Sequence, residues 1–389
     1  MAWQWWEGFD KRFCGKWMSE QFEINGYKMR LFFDVRFENE AVEVFIGHKL
    51  ANFDMKPLYV EYSDDALYFF HNERIYRWEY LLSLENDDLI ECKFSGKRGF
   101  YMDVFEQSPL KCTRLSEEDE KRYKHQVVPK DIAKIGILRE YAEYGDIKAD
   151  IKFEYKFDER ENILDIIEKY KLDELVKGKS DIETAIALMH RFCEHYKHGN
   201  PPGGLAGTRT VQALMEFADK NEGRTNCRGL AIALSQIIRA YNIKAFHITC
   251  QPYEEPFGDC HVVVCCYCES LNKYIMLDPS TNLYLKNSAG TIIGVEELRD
   301  ILIAGGELIP NEEATNWGKE RMTDLSNYRD YMAKNLIRID RSFLSCYGND
   351  RDGGNIILIP EKYMQNEAKT FSDEMQKKFI TSRECFWQV

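Results

Sequence analysis

Hydrophobic and polar positions alternate with period two over the first ~115 residues, which predicts strands half-buried in a sheet. Between 28 and 38, Met29, Leu31, Phe33, Val35 and Phe37 share one face, and Arg30, Asp34, Arg36 and Glu38 take the other. Short runs of the same kind follow at 42–46, 58–62, 67–70, 75–80, 89–94 and 101–105, separated by turn-forming clusters such as Ser63-Asp64-Asp65 and Glu85-Asn86-Asp87-Asp88. Strands at this spacing suggest an antiparallel barrel or sandwich. From 116 the pattern breaks. Ser116 can cap a helix whose first turn is acidic, and Pro129 interrupts it, so the inter-domain linker is placed at 116–145. Residues 147–157 alternate again and predict one more strand.

The period then becomes helical. Residues 162–176 read as an amphipathic helix. Ser180-Asp181-Ile182-Glu183 is a capping box, and the helix behind it should bury Ile182, Ala185, Met189, Phe192 and Tyr196. A short helix is expected over 210–219. Asn226 is a good N-cap for a further helix with the stripe Leu230, Leu234, Ile237, Ile238 and Tyr241, which sets Cys227 in its first turn. Strands follow at 244–251, 260–267 and 273–277. The last two are joined by Glu269-Ser270-Leu271-Asn272 and should pair as a hairpin, bringing His261 near Asp278. Beyond 317 the chain reads as loop and helix to 334, strands at 336–346 and 356–359 that could extend the same sheet, and a partly helical tail, with no catalytic residue evident.

The spacing carries chemistry. A thiol in the first turn of a helix faces unpaired amides and the positive end of the dipole, which favour a thiolate and can stabilise an oxyanion. A carboxylate beside an imidazole holds it in one tautomer and stabilises its protonated form. Zinc is the competing reading for Cys260, His261, Cys265, Cys266 and Cys268. Along a strand, however, Cys266 and Cys268 face one way and Cys265 the other, so no metal and no cofactor is expected.

The order of these elements resembles the transglutaminase-like branch of the papain-like fold. The residues that carry it are Asn226-Cys227-Arg228-Gly229-Leu230-Ala231, His261-Val262-Val263-Val264 and Leu277-Asp278-Pro279-Ser280, within about 160–285. The resemblance implies acyl chemistry, with Cys227 as nucleophile, His261 as base and Asp278 orienting it. It also implies an oxyanion-hole side chain before the cysteine, for which Tyr196, His198 and Asn200 are candidates. At the other end, Gly15-Lys16-Trp17 resembles the Gly-x-Trp element opening lipocalin-like barrels.

The expected architecture is therefore α+β. A lipocalin-like antiparallel β-barrel over 1–115 and a linker over 116–145 precede a transglutaminase-like domain with a C-terminal extension over 146–389. The expected function is a cysteine hydrolase or acyltransferase on a peptide or amide bond, with hydrolysis favoured over cross-linking and a peptide or protein as substrate. The alternative is a catalytically silent binding or scaffolding protein. The barrel is expected to be filled by its own aromatic side chains, with a small apolar ligand as the alternative.

Composition adds bounds. The net charge of −13 argues against a nucleic-acid or anionic-membrane partner. No apolar stretch reaches membrane-spanning length and the N-terminus lacks a secretory pattern, so a cytoplasmic, reducing setting is expected, with most of the twelve cysteines free.

Overall fold

The computed structural model describes residues 6, 8–24, 27–49, 52–73, 76–98, 102–122, 129–205, 207–253 and 259–388. It divides into two compact units, 1–136 and 137–389. The expected strand starts at Ile75 and Tyr101, the side chain of Met29 and loop residues 256–258 lie outside the described residues.

In the first unit nine strands are hydrogen-bonded in the order Asn52–Met55, Ala41–Lys49, Phe32–Glu38, Gly15–Ser19, Met102–Arg114, Leu89–Arg98, Tyr76–Asn86, Ala66–Glu73 and Tyr59–Ser63. All pairings are antiparallel, and the sheet curls into a nearly closed barrel. Two hairpins turn through residue pairs with positive φ, Asn39-Glu40 and Asp64-Asp65, whose backbone twist matches that of the flanking strands. The interior is aromatic. Phe33 and Phe69 meet edge to face at 5.6 Å, Phe69 and Tyr80 stack at 4.8 Å, and Trp78 stacks on Phe94 at 5.4 Å. Gly96 makes room for Trp78, since a Cβ there would fall 2.4 Å from the indole. Trp17 is fully buried, donates to the Phe13 carbonyl at 2.7 Å, and lies under the Arg114 guanidinium at 4.3 Å.

The second unit is built around one buried helix. We label its main helices α1 (Asp181–His195), α2 (Val211–Asp219), α3 (Cys227–Arg239) and α4 (Ser326–Asn335). Its sheet contains β1 (Ala245–Gln251), β2 (His261–Cys268), β3 (Lys273–Leu277), β4 (Arg338–Ser342), β5 (Asn355–Leu358) and β6 (Phe379–Ile380), in the order β3-β2-β1-β4-β5-β6. Only β5 and β6 run parallel. The C-terminal strands thus extend the sheet that carries His261.

Helix α3 begins where Asn226 accepts a hydrogen bond from the Gly229 amide at 3.0 Å. It is buried from Gly229 through Arg239, beyond the expected stripe. Its buried polar residues are accordingly paired. Arg239 forms an ion pair with the buried Glu159 and donates to the carbonyls of Ala245 and Cys346, and Gln236 donates to that of Arg209. The capping box at Ser180 and Glu183 forms as expected and starts α1.

Two expectations are corrected. The helix expected over 162–176 is three short ones, Glu159–Asn162, Leu164–Lys169 and Leu172–Val176, and Lys171 takes a left-handed φ of 50° between the last two. The strand expected over 147–157 pairs only at Glu154–Tyr155, against Leu344–Ser345. The alternation is present there, but most of that stretch has no ladder partner. No helix among the described residues is long and apolar enough to cross a membrane.

Candidate active site

The hairpin of β2 and β3 sets Val264 opposite Leu277. Extending that register puts Asp278 opposite Val263, on the same face as His261 and displaced from it by two residues, within side-chain reach. His261 Nε2 and Asp278 Oδ2 lie 2.7 Å apart, and both side chains are fully buried. Asp278 is held by two more donors: the Ser280 amide reaches Oδ1 at 2.9 Å, and the Tyr328 hydroxyl reaches Oδ2 at 2.9 Å. Burial alone would raise the Asp278 carboxyl, but the charge and hydrogen bond of His261, with these two donors, hold it below its ordinary value.

The other ring nitrogen of His261, Nδ1, is buried and has no hydrogen-bond partner. The neighbour that interacts with the ring is the Cys227 thiol, at the start of α3. Burial would lower the imidazole, yet Asp278 and the thiol bring it up to about 10. Burial would likewise raise the Cys227 thiol, but the neighbouring His198 and His261 imidazoles bring it down to about 6. Near neutral pH this arrangement can hold a thiolate beside an imidazolium. Gly229 is required by packing: a Cβ there would fall 2.6 Å from Thr225 Oγ1 and 2.7 Å from Leu205.

Of the three residues named before the cysteine, His198 is the one that interacts with the Cys227 thiol. Lys197–His198 pairs in parallel with Arg224–Thr225, the segment just before Cys227, and the Gly199 amide reaches the Thr225 carbonyl at 2.9 Å. That clamp brings His198 to the thiol. Of the other two candidates, Tyr196 is buried with its hydroxyl 3.0 Å from that of Tyr170, and Asn200 is exposed. Parallel pairing of two-residue segments leaves no periodic trace, so spacing alone could not select His198.

The C-terminal stretch supplies groups that sequence reasoning missed. Tyr328 and Tyr331 both belong to α4, and the Tyr331 hydroxyl donates to Asp259 at 3.0 Å and to the Cys260 carbonyl at 3.1 Å. The Trp317 ring lies 5.1 Å from His198, 5.5 Å from His261 and 5.1 Å from Tyr331. An i, i+3 pair of tyrosines on a predicted helix was the available signal.

Arg228, the residue after the cysteine, is tied to a loop. It donates to Asp350 at 2.6 Å and to Thr249 at 2.8 Å. His247 and Arg209 share Asp350, whose carboxyl is held well below its ordinary value, against the opposing effect of burial, by the His247 hydrogen bond, the Arg228 charge and the Arg209 hydrogen bond. Cys265, Cys266 and Cys268 are buried in β2, where burial pushes the Cys265 thiol up to about 12 and Cys266 well above the usual range. All twelve cysteines are free, and among the described residues no group of three metal-ligating side chains converges.

No protein-family model matches the chain, and no curated protein or solved structure compared with it matches either. The residues and their geometry therefore carry the functional argument.

Proposed function

We propose that the second unit is a transglutaminase-like cysteine hydrolase or acyltransferase that cleaves a peptide or amide bond through a thioester on Cys227. One observation carries this reading: a helix-start thiol lowered by two imidazoles, one of which is backed by a fully buried carboxylate. Among the described cysteines whose thiols shift, Cys227 is the one shifted downward.

In this mechanism the Cys227 thiolate attacks the carbonyl carbon and the π electrons move to oxygen. The helix-start amides, and His198 acting as an N–H donor, stabilise that oxyanion. Collapse breaks the C–N bond, and the His261 imidazolium gives its proton to the leaving amine. Neutral His261 then takes a proton from water, which attacks the thioester and releases the acid. Asp278 stabilises the imidazolium each time it forms, while Ser280 and Tyr328 fix the carboxylate. Hydrolysis is favoured over cross-linking because transglutaminase-like domains include proteases and amidases and nothing in the chain marks an amine acceptor. The barrel, lipocalin-like at Gly15-Lys16-Trp17, is read as structural because its interior is packed with its own rings. The free thiols fit a reducing, cytoplasmic setting.

Limited iodoacetamide at neutral pH, with peptide mapping, tests the reading. Cys227 is expected to be alkylated ahead of the other eleven cysteines, and Cys227→Ala to lose both this label and any amidase activity found with peptide libraries. Alkylation of Cys227 no faster than that of its neighbours would remove the basis for the proposal.

A further inference from the structure

Trp317 stands at the site in a backbone conformation that bulky side chains rarely adopt, with φ of 56°. The surrounding turn over-determines it. The Thr315 amide donates to the Thr281 carbonyl at 2.7 Å, the Trp317 amide to the Thr315 carbonyl at 3.0 Å, and the Gly318 amide to Thr315 Oγ1 at 3.1 Å. Thr281 lies three residues after Asp278, and its own amide donates to the Asp278 carbonyl at 3.3 Å, so the turn is anchored to the carboxylate's own loop. A left-handed tryptophan held this way represents strain, which persists where surrounding structure enforces it and gathers at functional sites.

The indole is aimed at the chemistry. It lies within ring-contact distance of both imidazoles that act on the Cys227 thiol, nearly perpendicular to His261 at 80° and to Tyr331 at 89°. Trp317 is only half-buried. Tyr331 is fixed by Asp259, which Lys334 engages at 2.5 Å, so the second ring does not swing freely. Neither ring has a proton-transfer role in the mechanism above. Both place aromatic surface beside the imidazoles that act on the thiol.

We propose that Trp317, supported by Tyr331, is the specificity-determining wall of the acyl site, and that it selects substrates with an aromatic or similarly flat apolar group next to the carbonyl attacked by Cys227. This rests on the thiol reading above. Aromatic rings gain from edge-to-face and offset contact beyond simple area burial, and a preformed wall presents that contact without reordering.

The test compares second-order alkylation rates at Cys227 for 2-chloroacetamide and N-benzyl-2-chloroacetamide, measured by mass spectrometry on the full chain. The ratio of the two rates cancels any general change in thiol nucleophilicity, so a purely structural role for Trp317 would not move it. Trp317→Gly removes the ring and relaxes the left-handed φ. Its benzyl-to-parent ratio is expected to fall roughly three- to tenfold below that of the wild type, with Trp317→Phe in between. An unchanged ratio in Trp317→Gly overturns the inference. Should that variant not fold, an unchanged ratio in Trp317→Phe does so. Failure of the thiol reading shows separately, as a wild-type Cys227 no more reactive toward chloroacetamide than the other cysteines.

Discussion

The barrel and the thiol site bury similar kinds of side chain under opposite rules. In the barrel Phe33, Phe69, Tyr80 and Phe94 fill the interior by stacking on one another, and removal from water is enough to hold them there. In the second unit the buried groups include charges, and each must find a partner. Glu159 and Arg239 do so purely structurally, with Arg239 also bonded to two carbonyls. His261 and Asp278 are paired as closely, yet one imidazole nitrogen is left over for a thiol. A spare atom alone does not separate the two pairs, since Glu159 Oε2 is also buried without a hydrogen-bond partner; the difference is that the spare atom of His261 is an imidazole nitrogen on a ring that interacts with a thiol.

That comparison can be broken at several points. The largest effect is expected from Asp278→Asn, which keeps the shape but removes the charge and favours the wrong tautomer. Turnover should fall by roughly a thousandfold or more, and the pH at which Cys227 becomes reactive should rise, because the imidazolium that lowers the thiol is no longer supported. A normal rate in a folded Asp278→Asn protein would mean that the pair is structural, as Glu159 and Arg239 are. Next comes Phe69→Ala in the barrel, expected to cost about 3–5 kcal/mol of stability through lost burial and the cavity left behind. Thermal or urea unfolding reads that loss, and Cys227 alkylation in the folded protein should not change. A loss of thiol reactivity there would tie the barrel to the chemistry. Smaller again is Tyr328→Phe, which removes one of the hydrogen bonds to the carboxylate. A decrease in kcat/KM of roughly tenfold is expected, with no change in fold by circular dichroism.

Much of this was legible in the residues. Cys227 at a helix start, and His261 and Asp278 across a short hairpin, follow from capping chemistry and register, both of which are local. The barrel strands are legible because alternation repeats and turn clusters separate them. Other features were not. His198 comes to the thiol through a pairing of two residues with two, too short for a pattern. Trp317 depends on a turn anchored to Thr281, and Tyr328 on where α4 docks, neither of which is encoded in nearby sequence. The strand expected over 147–157 failed for the complementary reason: alternation marks a half-buried extended segment, and a ladder also needs a free edge to join. Arg228 could not be assigned because its partner, Asp350, lies 122 positions away.

The shifted groups also set a pH window for stability. The Cys227 thiol is held below its ordinary value, so its contribution is fully present above that value and is lost as pH falls through about 6. His261 is held above its ordinary value, so its contribution is complete below about 6.5 and is lost as pH rises through about 10.

The pH dependence of Cys227 alkylation by iodoacetamide tests the central claim most directly. The rate is expected to rise with a midpoint near 6 in the wild type and to move toward the ordinary thiol range in His261→Ala. A wild-type midpoint at about 8.5, unmoved by His261→Ala, would contradict it.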